Sequence, residues 1–95
     1  MNARVVIDET SAPGFPRHVR FHFNKRRSQW VILAPERLLV PDETSVEILK
    51  LCDGATRVSA IVAALVEKYN APPDVILRDV KLMLQDLADK GFILT

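Results

Sequence analysis

The hydrophobic periodicity of the chain changes at Pro41, and this change limits the possible folds more than any other feature. Before Pro41, apolar and polar residues alternate over residues 17–23, so that Val19, Phe21 and Phe23 fall on one side of an extended segment. After Pro41, apolar residues recur at helical spacing. Strands followed by helices predict an α+β fold with the helices packed on one face of an antiparallel sheet.

Three strands and three helices are predicted. The strands cover residues 17–23, 29–34 and 37–40, and the helices begin near residues 44, 57 and 72. Thr44 and Glu47 match a capping box at the start of the first helix, and Gly54 matches its C-terminal stop. A three-stranded sheet followed by three helices predicts a shape close to a winged helix-turn-helix.

The breaker-rich residues 9–16 predict a boundary near residue 15. Residues 1–15 are expected to form a flexible N-terminal tail, and residues 16–95 a single domain. Val5, Val6 and Ile7 are β-prone, which raises the hypothesis that the tail occupies a sheet edge in its own protomer or in a neighbour. Exchange between protomers would produce a strand- or tail-swapped homodimer.

The composition argues against several classes of protein. A net charge of +1 over 95 residues does not favour binding of polyanions through bulk charge. The single cysteine allows no internal disulfide, and no apolar run is long enough for a membrane helix. The N-terminal residues lack the features of a secretory signal. The prediction is a cytoplasmic protein without a membrane segment.

The sequence contains no convincing catalytic or metal site. His18 and His22 share a predicted strand face but lie about 13 Å apart, too far to ligate one zinc ion. Cys52, in the last turn of an apolar helix, has no local base to activate it. No phosphate loop or nucleophile motif is present. The chain is therefore predicted not to be an enzyme and to need neither a metal nor a cofactor.

Residues 17–27 hold five Lys or Arg residues and two histidines. They are interpreted first as the solvated face and loop of a hairpin, and alternatively as a contact for phosphate or an acidic partner. The third helix argues against DNA, because between Asp74 and Lys90 it carries four aspartates against three cations. A recognition helix in the major groove should be basic or rich in amides.

The third helix also suggests a binding surface. Ile76, Val80, Met83, Leu84 and Leu87 cluster on the predicted core side, whereas Val75 and Leu82 fall nearly opposite, flanked by Asp79 and Asp86. Beside an unprotected third strand, such an apolar strip can floor a groove that captures an extended peptide. The predicted peptide-binding residues are Arg37, Leu38, Leu39, Val40, Val75, Asp79, Leu82, Met83 and Asp86.

Three segments resemble the pyrroloquinoline quinone (PQQ) biosynthesis protein D family. They are WVILAPERLL at residues 30–39, DETSVEILKLCDG at residues 42–54 and VSAIVAALVEKY at residues 58–69. The similarity extends from about residue 16 to residue 94. One departure is Pro41-Asp42, where the family more often has an apolar residue and Asn; Asp can still cap the first helix.

The resemblance implies a peptide chaperone. Members of the family bind the ribosomally made precursor peptide of PQQ and present it to a radical S-adenosylmethionine (SAM) enzyme, which cross-links a Glu and a Tyr of that peptide. Related domains hold a leader segment as an extra strand on the third strand, beside the third helix. The alternative function is a winged-helix nucleic-acid-binding protein that uses the basic hairpin.

Overall fold

A computed structural model of the protein describes residues 5–95 and contains a three-stranded sheet and three helices. The elements are β1 (Arg20–Asn24), β2 (Gln29–Ala34), β3 (Arg37–Leu39), α1 (Glu43–Leu49), α2 (Val58–Tyr69) and α3 (Pro73–Asp89). The sheet is antiparallel in the order β1-β2-β3. The predicted α+β class and the order of elements are confirmed, whereas the winged-helix likeness stays a prediction. None of the helices in the described part of the chain is long and apolar enough to cross a membrane.

Two strand boundaries differ from the predicted ones. β1 begins at Arg20, because residues 16–19 form a turn in which Val19 N–H donates to the Pro16 carbonyl at 3.0 Å. His18 therefore lies before the strand and does not share a strand face with His22. β3 ends at Leu39, so Val40 follows the strand.

The core lies between one face of the sheet and the helices. The strand register aligns Phe21 with Ile32 and Ile32 with Leu39, and these three side chains pack against or within the buried cluster. Val80, Leu84 and Leu87 of α3 are buried in the same cluster, with Ile76 and Met83 packed against it, which confirms the predicted core side of this helix.

The start of α1 differs from the predicted capping box. The N-cap is Asp42, whose carboxylate accepts a hydrogen bond from Ser45 N–H at 2.8 Å and whose pKa is lowered by that bond. Glu47 does not reach back to the helix start, because its carboxylate is paired with Lys68 at 2.6 Å and Lys50 at 3.3 Å. The helix thus begins before Thr44.

Gly54 also has a different role from the predicted one. It has a left-handed φ of 80°, but it lies five residues beyond the end of α1 at Leu49. Its N–H donates to the Pro13 carbonyl at 2.9 Å, so it fastens the N-terminal segment instead of capping the helix.

The identity of the N-cap can be tested with a pair of substitutions. Asp42→Ala is expected to lower the free energy of unfolding by about 1 kcal/mol, and Thr44→Ala by only a few tenths, since only Asp42 satisfies a free helix N–H. Because the pKa of Asp42 is lowered on folding, its contribution is present above the ordinary value of 3.8 and disappears as the pH falls through the lowered pKa. Urea unfolding at pH 7 and pH 3 measures both effects, and equal losses for the two variants at pH 7 would contradict the assignment.

The described part of the N-terminal segment, residues 5–15, contacts the rest of the fold. Ile7 is only 4% exposed, and its N–H donates to Gln85 Oε1 of α3 at 2.9 Å. The carbonyls of Ser11 and Glu9 accept hydrogen bonds from Val58 and Ser59, the first two residues of α2. Residues 5–15 are therefore packed because they complete the core and cap a helix that has no side-chain cap.

The same contacts bear on the hypothesis of a tail at a sheet edge. The described residues of the tail run beside α3, where Gln85 Nε2 also donates to the Val5 carbonyl at 2.7 Å, and they do not pair with an edge of the three-stranded sheet. An isolated bridge instead joins Gly14 to Leu94. The predicted tail residues 1–4 lie outside the described residues.

Candidate functional site

A groove runs between β3 and the C-terminal half of α3. Its lining is mainly apolar, with Asp86, Lys90 and Ser45 as polar members; the lining residues are Ile32, Leu39, Val40, Pro41, Ser45, Met83, Asp86, Leu87 and Lys90. Four of the predicted peptide-binding residues are thus brought together, namely Leu39, Val40, Met83 and Asp86. They come from two elements that are more than forty positions apart in the sequence.

The α3 wall of the groove follows helical spacing. Met83, Asp86, Leu87 and Lys90 occupy positions i, i+3, i+4 and i+7 and form one stripe. Lys90 Nζ contacts Asp86 Oδ2 at 3.0 Å, with both side chains more than half exposed. An exposed pair of this kind contributes little stability, so either charge can turn to a ligand.

The other three residues predicted on α3 do not line this groove. Leu82 is 65% exposed, as predicted, but it lies beside Leu77, Arg78 and Lys81 in a separate shallow depression. Successive helix residues point about 100° apart, so Leu82 faces well away from its neighbour Met83. Val75 and Asp79 are likewise absent from the groove lining.

Arg37 has a structural role that its sequence position did not reveal. Its guanidinium donates to the Lys90 carbonyl at 2.6 Å and lies 4.3 Å above the centre of the Phe92 ring. The Lys90 carbonyl belongs to the end of α3, where backbone acceptors lack helical partners and a cation is favourable. The Arg37 side chain therefore joins β3 to α3 and holds the two walls of the groove together.

Several groove residues were missed in the sequence. Ile32 and Leu87 have apolar patterns that indicate only the core, and both also reach the groove floor. Pro41 and Ser45 belong to the strand–helix junction, which carries no recognisable binding pattern. Lys90 could have been found, because it follows Asp86 by four residues, the spacing of a helical ion pair.

The outer edge of β3 is open, since β3 pairs only with β2 among the described strands. Pro35 and Glu36 form the β2–β3 turn, and the positive φ of Glu36, 61°, following a proline is typical of a type II turn. In such a turn the Arg37 N–H bonds back to the Ala34 carbonyl. Because hydrogen-bonding direction alternates along an antiparallel strand, we infer that the Leu38 N–H points to the open edge.

Cys52 does not line the groove, and its thiol is buried. Cys52 is 5% exposed, and burial together with the neighbouring Asp53 raises the pKa of its thiol to about 12. The thiol therefore stays protonated at neutral pH and is not a nucleophile. Within residues 5–95, no group of three or more His, Cys, Asp or Glu side chains is placed to hold a metal ion.

Comparison with known sequences identifies close relatives. A family model described as coenzyme PQQ synthesis protein D (PqqD) matches residues 29–93, a range that includes both walls of the groove. The PqqA binding protein of Rhodopseudomonas palustris strain TIE-1 is 59% identical over 90 residues, which are 95% of this chain and 88% of that protein. The bifunctional coenzyme PQQ synthesis protein C/D of Methylorubrum extorquens strain AM1 is 42% identical over 81 residues, 85% of this chain and 22% of that longer protein.

Two solved structures have the same fold. The solution NMR structure of the PqqD truncation of Methylobacterium extorquens PqqCD, described as a functional and stand-alone RiPP (ribosomally synthesised and post-translationally modified peptide) recognition element, has a TM-score of 0.80 and 38% identity, covering 95% of this chain and 96% of its own. The crystal structure of PqqD from Xanthomonas campestris has a TM-score of 0.56 and 29% identity, covering 90% and 94%. The chain therefore belongs to the coenzyme PQQ synthesis protein D (PqqD) family.

Proposed function

We propose that this protein binds the precursor peptide PqqA as an added strand on β3 and presents it to the radical SAM enzyme of PQQ biosynthesis. The observation that carries the proposal is the open edge of β3 beside the apolar groove. An edge with free backbone groups next to apolar pockets is the arrangement with which sheets capture extended peptides. The relatives named PqqA binding protein supply the identity of the peptide.

In the proposed complex, backbone hydrogen bonds supply affinity and the groove supplies specificity. The backbone of Leu38 would pair with the peptide, whose side chains point alternately toward the groove and away from it. Apolar side chains would contact Leu39, Met83 and Leu87, and a cationic side chain would replace Lys90 beside Asp86. These contacts fit a peptide segment in which apolar and polar residues alternate.

The N-terminal half of α3 offers an extension of this site. A peptide longer than the groove would continue along α3 toward Asp79, which is exposed and forms a 3.7 Å ion pair with Arg78. Leu82, between the groove and Asp79, and Val75, one turn beyond Asp79, would provide apolar contacts on the outer side of the helix. These three residues are proposed as a secondary contact that depends on the length of the peptide.

The proposal assigns binding to this protein and the cross-linking chemistry to the radical SAM enzyme. The inert thiol of Cys52 agrees with a role that needs no catalytic residue, metal or cofactor of its own. A peptide made by ribosomes is available in the cytoplasm, where we place the complex. The proposed complex consists of this protein, the peptide and the enzyme.

A titration with synthetic PqqA tests the proposal, with backbone amide NMR spectra as the readout. Shifts are expected at residues 37–40 and 83–90. Met83→Ala should weaken binding by about 1–2 kcal/mol, since it removes a groove contact, whereas Leu82→Ala should stay within about 0.5 kcal/mol for a peptide confined to the groove. A larger loss for Leu82→Ala than for Met83→Ala would move the main binding site to the outer side of α3. Absence of any binding by the folded protein would overturn the proposal.

A further inference from the structure

The sheet face that points away from the helices forms a second surface. Residues in register share a face, so the row Arg20–Leu33–Leu38 lies opposite to the core-facing row that contains Ile32. The next row on the same side pairs His22 with Val31. We call the side chains of Arg20, His22, Val31, Leu33 and Leu38 the outer sheet face.

This surface belongs to a strongly basic part of the chain. Residues 17–35 contain five cationic residues and no Asp or Glu, while the rest of the chain has eight Lys and Arg against twelve Asp and Glu. All five cations are exposed, and among the described residues none of them forms an ion pair. They are Arg17, Arg20, Lys25, Arg26 and Arg27. Cations with no partner in the fold are available for a partner outside it.

The centre of the outer sheet face is apolar. Val31 is 2% exposed and so lies beneath the surface, Leu33 is half-buried, and Leu38, which is 55% exposed, is the apolar side chain that a docked protein can contact. An apolar centre with a charged rim is the anatomy of a protein–protein interface. A surface for single-stranded nucleic acid would instead present aromatic rings among its cations. Here Phe21 and Trp30 share the other side of the sheet with Ile32.

Leu38 connects this surface with the groove site. Its side chain lies on the outer sheet face, while its backbone belongs to the edge strand that is proposed to receive the peptide. A protein docked on the outer sheet face would therefore stand directly beside the added strand. It would reach the peptide without displacing it from the groove.

We propose that the outer sheet face and the basic β1–β2 hairpin dock a carboxylate-bearing, partly apolar surface of the enzyme that acts on the bound peptide. This inference rests on the proposed function, because it identifies the surface on which the enzyme binds while the peptide occupies the groove. The partner is acidic since the cations of residues 17–35 have no counter-charge in the fold. The enzyme would bind to the outer sheet face, whereas the peptide binds on the groove side of β3.

The test measures binding of the radical SAM enzyme of the pathway to the full chain by calorimetry, with and without synthetic PqqA. Arg20→Glu is compared with Arg57→Glu, which makes the same change in net charge at the exposed N-cap position that precedes α2. Arg20→Glu should weaken enzyme binding tenfold or more, and Arg57→Glu less than threefold. Higher salt should weaken the wild-type complex more than the Arg20→Glu complex. Affinity for PqqA should stay within twofold in both variants.

The outcomes separate the two proposals. Equal enzyme binding by the two variants overturns the docking surface, whatever the peptide does. If the wild-type protein does not bind PqqA, the proposed function is overturned. The enzyme titration without peptide then still measures whether the enzyme binds to the outer sheet face. Duplex DNA that binds more tightly than the enzyme, with dependence on Arg20, would reassign the surface to nucleic acid. If Arg20→Glu fails to fold by circular dichroism, Arg26→Glu in the exposed hairpin turn is expected to give the same loss of enzyme binding.

Discussion

Replacing Ile7 by alanine is expected to lower the free energy of unfolding by about 2–4 kcal/mol, the usual cost of truncating a buried isoleucine. Ile7 is 4% exposed in the core cluster, although it stands near the chain terminus. In a domain of this size such a loss lowers the melting temperature by about 10–25 °C. Thermal and urea unfolding followed by circular dichroism measure it.

Val6→Ala is the matched control, since Val6 is next to Ile7 and 65% exposed. Its cost should stay within about 0.5 kcal/mol. Deleting residues 1–12 should cost more than Ile7→Ala, because it also removes the Glu9 and Ser11 carbonyls that cap α2. If Ile7→Ala and Val6→Ala are equally stable, the N-terminal segment does not complete the core in solution.

Leu38→Pro is expected to lower the affinity for PqqA tenfold or more. Proline removes the backbone N–H that we infer to face the open edge, and its ring obstructs the approach of an added strand. One lost hydrogen bond accounts for about 1 kcal/mol, and the obstruction adds to it. Calorimetric titration of the folded variant with the peptide gives the measurement.

Two further substitutions control for this effect. Leu38→Ala keeps the N–H and removes a side chain that points away from the groove, so its affinity should remain within about threefold of wild type. Leu39 pairs with Ile32 and packs on the core, so Leu39→Pro should damage the sheet and lower stability as well. Equal peptide affinity for Leu38→Pro and Leu38→Ala would rule out strand addition at this position.

Local patterns in the sequence were sufficient to predict the α+β class, the order of the six elements and the core side of α3. Period-two and helical spacing are properties of short segments, and neighbouring residues such as Val80, Leu84 and Leu87 express them directly. The N-cap of α1 was not predicted correctly from the local pattern. Thr44 and Glu47 match a capping box, but Asp42 caps α1 because Glu47 is held by Lys68, a residue from another helix.

The edge strand and part of the groove could likewise be predicted, because Pro41 ends the third strand and no fourth strand follows it in the sequence pattern. The remaining features depend on contacts between distant residues. Ile7 forms a hydrogen bond with Gln85, which is 78 positions away in the sequence. Arg37 contacts Lys90 and Phe92 in the same long-range way. Leu82 and Met83 are equally apolar neighbours in the sequence, yet only Met83 faces β3. Burial and orientation of this kind follow from how the helices pack on the sheet, and no local pattern encodes that packing.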